Sequence, residues 1–215
     1  MIKSLFNAIP LALAVRYLAH SIMLFLALLH ERVPGHKLND ALLNIVPYIA
    51  VIDRFNYIIW LFCYVPIALW LWKKSRERFV HFLYLGALLS LIRGVAISFV
   101  AVGPVRGGDV NVGMSYGTLF DAWLSLINPV SALSSNATQI YLTKDLFFSG
   151  HVATTFLLLL FTLPYKKMAM TALVAHLIVV GVVFFSHLHY TVDVIGAWVI
   201  TYLLFRFYDS HRKTV

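Results

Sequence analysis

The sequence predicts an all-α, polytopic integral membrane protein, with six transmembrane helices in a compact bundle and both termini cytoplasmic. Three observations carry this. Hydrophobic residues make up 61% of the 215 and charged residues only 12%, about half the charged share of a soluble domain. The apolar residues fall into six runs, each near the roughly 17–25 residues that a helix needs to cross hydrocarbon. The basic residues gather in alternate connections between those runs. Helices alone suit such runs, because backbone groups in lipid must be satisfied within the segment, and the alternating pattern of a barrel is absent.

The first run, Ile9–Leu29, is interrupted by Arg16 and His20 and shows no small-residue cleavage site, so we read it as a span rather than a signal peptide. The others are Tyr57–Trp72, Phe79–Val102, Leu146–Leu163, Met168–Phe185 and Thr191–Phe207. Lys3 precedes the first. "KKSRER" (Lys73–Arg78) joins the second and third, Lys166 and Lys167 join the fourth and fifth, and Arg206, Arg212 and Lys213 close the sixth. Six crossings put all four basic sites on one side, which the positive-inside rule makes cytoplasmic. Glu31, Asp40, Asp109, Asp121 and Asp145 fall on the opposite side.

We treat 1–215 as a single membrane domain, with a long outer loop over 103–145. Within it Tyr116–Ile127 can form a short interfacial helix, and Asn136-Ala137-Thr138 is a glycosylation acceptor. The formal charge of +8 is topological. No basic run interleaves with aromatics, so no nucleic-acid partner is expected. The single Cys63 excludes an internal disulfide. No residue pattern specifies an oligomeric state.

The topology places two polar groups on the outer face. "DLFFSGH" (Asp145–His151) opens the fourth helix and "HLHYTVD" (His187–Asp193) opens the sixth. His189 and Asp193 are four apart and on a helix would share one face. A carboxylate there orients the ring and stabilises its cation. His151 comes from another helix at similar depth. Two histidines, one backed by an aspartate, suit phosphoryl transfer: one ring attacks phosphorus and the other protonates the leaving oxygen. Ser149 and Gly150 add an anion site at the helix N-terminus, where the backbone can approach a phosphate. Arg93 lies about ten residues from the outer end of the third segment, on the order of 15 Å deep. It is either a phosphate contact facing the bundle interior or half of a buried ion pair.

"FFSGHVATTFLLLLF" and "HLHYTVDVIGAWVITYLLFRFY" resemble the two signature motifs of the sphingomyelin synthase family, a branch of the type 2 phosphatidic acid phosphatase superfamily. "IRGVAISFVAVGPV" (Ile92–Val105) is similar to that family's third-helix motif. "VPYIAVIDRFNYI" (Val46–Ile58), with Pro47 and Asp53, is similar to its first outer loop. The resemblance implies metal-independent, cofactor-free transfer of a phosphate-bearing head group from a phospholipid donor to a lipid acceptor such as ceramide. His189 would be the nucleophile, Asp193 its orienting partner, and His151 the general acid and then base. The chain departs from the family at Leu188, an acidic position there, and at Val152, a threonine there. The superfamily's Lys-x6-Arg-Pro motif is missing, and Ser186-His187 replaces its Ser-Arg. The short chain points to a bacterial inner membrane with the active site on the periplasmic or outer side. In a eukaryote the place would be Golgi or plasma membrane.

Other readings stay open at this stage. With water as acceptor the site is a lipid phosphate phosphatase or a phospholipase C-type hydrolase. Histidines at membrane depth also serve a transporter or channel as a proton relay. His151, His187, His189 and Asp193 are suitable zinc ligands. His187 is a substrate contact or an interfacial residue, and Asp145 a substrate contact or a helix cap. Lys144 and Arg106 are weaker phosphate contacts. His20, His30, His36, His81, His176 and His211 are read as interfacial.

Overall fold

The computed structural model describes residues 2–100, 102–128, 131 and 140–212; the Asn136-Ala137-Thr138 acceptor and Lys213 lie outside them. Among the described residues the chain forms seven helices and no strand. They are α1 (Ile2–Glu31), α2 (Ala50–Lys74), α3 (Arg76–Phe99), α4 (Tyr116–Ile127), α5 (Gly150–Thr162), α6 (Lys166–Phe185) and α7 (Thr191–Arg212). Five of them, α1, α2, α3, α6 and α7, are long and apolar enough to cross a membrane. The chain is an integral membrane protein.

The element ends differ from the hydropathy runs for local reasons. α2 starts at Ala50 rather than Tyr57, because the polar Asp53 and Asn56 are compatible with a helical turn that projects past the apolar run. α3 stops at Phe99 instead of Val102: Gly103 N–H donates to His36 O at 2.8 Å, and Pro104 cannot extend the helix. α5 begins four residues later than Leu146, where Ser149 supplies the N-cap, so a 13-residue helix replaces the fourth predicted span. At about 1.5 Å per residue it is about 20 Å long.

α5 is the central element and packs against α2, α3, α6 and α7. Leu157, Leu158 and Phe161 are fully buried. The Phe161 ring meets Phe82 edge-on at 5.8 Å and Phe205 at 5.3 Å. Lipid is as apolar as these side chains, so close packing rather than water exclusion holds the bundle. α1 packs on α3 and on α4, where Trp123 Nε1 donates to Ser21 O at 3.0 Å.

The basic connections share one end of the bundle. Lys74 and Arg78 lie over the Tyr165 ring, at 5.8 and 6.0 Å, which joins the α2–α3 turn to the α5–α6 turn. The starts of α2, α5 and α7 gather at the other end. There the outer loop is tied to α1 by a buried polar network. Glu31 accepts from Lys144 N, from Thr143 Oγ1 at 2.7 Å and from Asn111 Nδ2 at 3.1 Å. Lys144 Nζ meets Asp109 at 2.5 Å and donates to the carbonyls of Glu31 and Val33. Lys144 is therefore a structural tie, not a phosphate contact. Lys144→Met should strip the donor from Asp109 and two carbonyls and destabilise the fold by about 3–5 kcal/mol, read as a lower unfolding midpoint in detergent.

Candidate active site

The turn before α7 is built by capping. Asp193 Oδ2 accepts from Tyr190 N at 2.9 Å, which closes the helix start and leaves His189 in the turn ahead of it. The expected shared helix face of His189 and Asp193 is thus replaced by a capping turn, with the same proximity: His189 Nδ1 lies 3.4 Å from Asp193 Oδ2. That contact is within ion-pair range but is not an aligned hydrogen bond. Asp193 Oδ1 accepts from Phe147 N at 3.1 Å, and Asp193 O accepts from Ser149 N at 3.1 Å. One residue of α7 therefore fixes the segment that leads into α5. A carboxylate offers about four lone-pair sites, enough for both amides and the imidazole.

α6 ends with His187 in the left-handed region, at φ 48°, a place where glycine is usual. Leu188 N donates to Val183 O at 3.1 Å, so the turn is hydrogen-bonded despite the missing glycine. The His187 ring bonds Val46 O at 2.9 Å through Nε2. The α6–α7 turn is further held by Asp40, whose carboxylate takes Thr191 N at 2.5 Å and Thr191 Oγ1 at 2.8 Å. Burial by itself would raise the Asp40 carboxyl; these donors and the amides of Leu43 and Leu42 outweigh it and hold it below its ordinary range.

His151 stands on the first turn of α5. Its ring lies edge-on to Trp60, with centroids 5.3 Å apart, and to Tyr57 at 6.4 Å. Behind it Thr155 Oγ1 donates to His151 O at 2.9 Å. Thr155 in turn meets His176 Nδ1 at 2.9 Å, and Trp198 Nε1 donates to His176 Nε2 at 2.9 Å. An indole can only donate, so Nε2 accepts and the imidazole proton sits on Nδ1, facing Thr155. His176 is 3% exposed. The interfacial reading of this histidine is corrected: it links α5, α6 and α7.

His151 and His189 border one cavity of about 720 Å³, together with Arg93, Asp145, Gly150 and His187. Arg106 and Asp53 stand at its mouth, with the Arg106 guanidinium 3.3 Å over the Tyr48 ring. The cavity lies between α1 and α2, and Leu13 and Tyr17 on its rim are exposed. Asp193 is buried behind His189, outside the lining. Ser149 is also fully buried, and its hydroxyl accepts from Val152 N as the α5 cap. Among the described residues no three His, Cys, Asp or Glu side chains gather as a metal site requires.

Arg93 faces the bundle interior, six residues before the end of α3, about 9 Å along the axis and shallower than the sequence suggests. Its guanidinium pairs with Asp145 Oδ1 at 2.8 Å and donates to Phe148 O at 2.6 Å and Asp145 O at 3.0 Å. Asp145 is thus an ion-pair partner rather than a helix cap. Gly150 permits this packing, since a Cβ there would fall 3.1 Å from Arg93 Cζ.

Residues 144–210 match the family model described as PAP2 superfamily C-terminal. The match spans α5, α6 and most of α7 and includes His151, His189 and Asp193, but not Arg93 or Arg106. It supports the type 2 phosphatidic acid phosphatase superfamily, and with it phosphatase or phosphotransferase chemistry. None of the curated proteins matches the chain. Sequence reasoning missed the roles of His176, Trp60 and Tyr57, which are marked only by contacts between distant segments, and that of Arg16, whose one signal was a charge inside an apolar run.

A carboxylate held below its ordinary range contributes stability that is present above that range and is lost as pH falls through the folded-state value. The Asp40 anchor of the α6–α7 turn should therefore weaken below its ordinary value of 3.8. Asp40→Asn should lower the melting temperature at neutral pH and remove this part of the acid dependence, as followed by thermal melts across pH 3–6.

Proposed function

We propose that this protein is a lipid phosphotransferase, moving a phosphate-bearing head group from a glycerophospholipid to a lipid hydroxyl such as that of ceramide. The observation that carries the reading is the convergence of His151 and His189 on one cavity, with Asp193 behind His189 at 3.4 Å. The resemblance of both histidine motifs to the sphingomyelin synthase family supports the transferase branch. By the positive-inside rule, the basic turns at the other end of the bundle support a non-cytoplasmic site.

The chemistry follows from the ring positions. Asp193 faces Nδ1 of His189, which favours the proton there and leaves Nε2 as the nucleophilic lone pair. Nε2 attacks phosphorus, the bond from phosphorus to the diacylglycerol oxygen breaks, and protonated His151 gives its proton to that oxygen. The head-group phosphate is then held on His189. Neutral His151 takes the proton of the acceptor hydroxyl, whose oxygen attacks phosphorus and releases Nε2. Arg93 serves as a positioning residue, since its donors hold the 145–148 segment and so the start of α5. A mouth lined by the charged Asp53 and Arg106 also suits water as an acceptor. Water as acceptor makes the same cycle a lipid phosphate phosphatase or phospholipase C-type hydrolase.

Purified protein given labelled phosphatidylcholine, phosphatidylethanolamine or phosphatidate, with and without ceramide, should form a labelled lipid product only when the acceptor is present. Inorganic phosphate from phosphatidate would assign the hydrolase instead. His189→Ala and His151→Ala should each abolish turnover while the melting temperature stays near wild type. Asp193→Asn should cut the rate by up to about 10⁴-fold, by analogy with other His–Asp pairs. Full activity in any of the three would overturn the assignment.

A further inference from the structure

Arg16 sits midway along α1 and reaches into the cavity between α1 and α2. Its Nη1 donates to the Ser90 hydroxyl on α3. Its Nε rests over Gly86, where a Cβ would come within 3.0 Å. Gly86 and Ser90 are four apart, so they form a notch on one face of α3 that only small side chains leave open. His20, one turn on from Arg16, borders the same space, and Tyr64 of α2 faces it.

A hydroxyl satisfies one donor but carries no charge. Among the described residues Arg93 has the carboxylate of Asp145, whereas no carboxylate lies within ion-pair distance of Arg16. A guanidinium has five N–H donors in a planar fork that matches oxyanions. An arginine at membrane depth is costly unless it is partnered. Ser90 and Arg93 are three residues apart on α3, so the position on α3 that Arg16 contacts is about 5 Å further from the outer end of that helix than Arg93. It is thus on the floor of the cavity, beneath the histidine pair.

We propose that Arg16, Ser90 and His20 form a second subsite, an anion receptor on the cavity floor that takes a phosphate group of a lipid or free phosphate. Donors arrive from two sides, with Arg16 and His20 on α1 and Ser90 on α3. That spread suits a tetrahedral oxyanion better than a planar one. The subsite is distinct from the histidine pair and does not depend on the transferase reading.

The test uses the full chain in detergent, with His189→Ala in every sample to stop turnover. Binding is measured by calorimetry for dihexanoyl phosphatidate, inorganic phosphate and dihexanoylglycerol. R16Q should weaken phosphatidate binding at least tenfold, R16K should recover most of it, and dihexanoylglycerol should bind R16Q and its parent alike. A parallel loss for inorganic phosphate assigns free phosphate as a ligand; loss for phosphatidate alone assigns the lipid. S90A, a smaller change, should weaken phosphatidate severalfold and serves if R16Q fails to fold. Unchanged phosphatidate binding in R16Q or S90A would overturn the subsite. An equal loss for dihexanoylglycerol would also overturn it, because the group recognised would then be uncharged. Turnover by the His189→Ala protein would sink the reaction proposed above and leave this result standing.

Discussion

The backbone and carboxylate of Asp193 set the distance between the two halves of the candidate site. Its Oδ1 and its carbonyl oxygen hold Phe147 and Ser149, the residues leading into α5, while its Oδ2 caps α7 and faces His189. His151 follows two residues after Ser149 and is carried by the same clamp. Neither histidine is placed by its own helix alone. Their common cavity depends on one aspartate that bridges two helix starts, and it is reinforced from a third side by Arg93 on the same 145–148 segment.

Around this joint the protein uses its buried charges in two ways. Glu31, Lys144 and Asp109 are consumed internally and tie the outer loop to α1. Arg93 and Asp145 are also paired, although both border the cavity. Arg16 differs, being anchored by a hydroxyl and by a glycine notch rather than by an acid. The polarity of the cavity is thus graded: a mixed-charge mouth at Asp53 and Arg106, neutralised charge beside the histidines, and beneath them an arginine with no carboxylate partner among the described residues.

Much of this was legible in the sequence. Hydropathy and the alternating basic turns gave the all-α membrane architecture, because both are local properties of the chain. α4 was readable as Tyr116–Ile127 from its own composition. The fourth span is shorter than its apolar run, since Leu146, Phe147 and Phe148 are apolar but lie in an irregular, bent stretch fixed by Asp193, which is distant in sequence. The spacing of His189 and Asp193 signalled closeness, yet the cap that creates it is a turn. His176 could not be assigned from its neighbours at all, because Thr155 and Trp198 come from other helices. Arg93 was seen as anomalous; its partner could be read only from the fold.

The 13-residue length of α5 bears on how a lipid could reach the histidines in the proposed reaction. A helix of about 20 Å is some 10 Å shorter than the hydrocarbon it stands in. Its other end adjoins Lys166 and Lys167, whose turn is joined to the α2–α3 turn through Tyr165; with those basic turns at the membrane surface, the shortfall is at the end that carries His151. A bilayer lipid resting at its normal height would hold its phosphorus above the imidazoles. For the reaction proposed above, that lipid would have to sink into the protein, trading head-group hydration for the walls of a crevice.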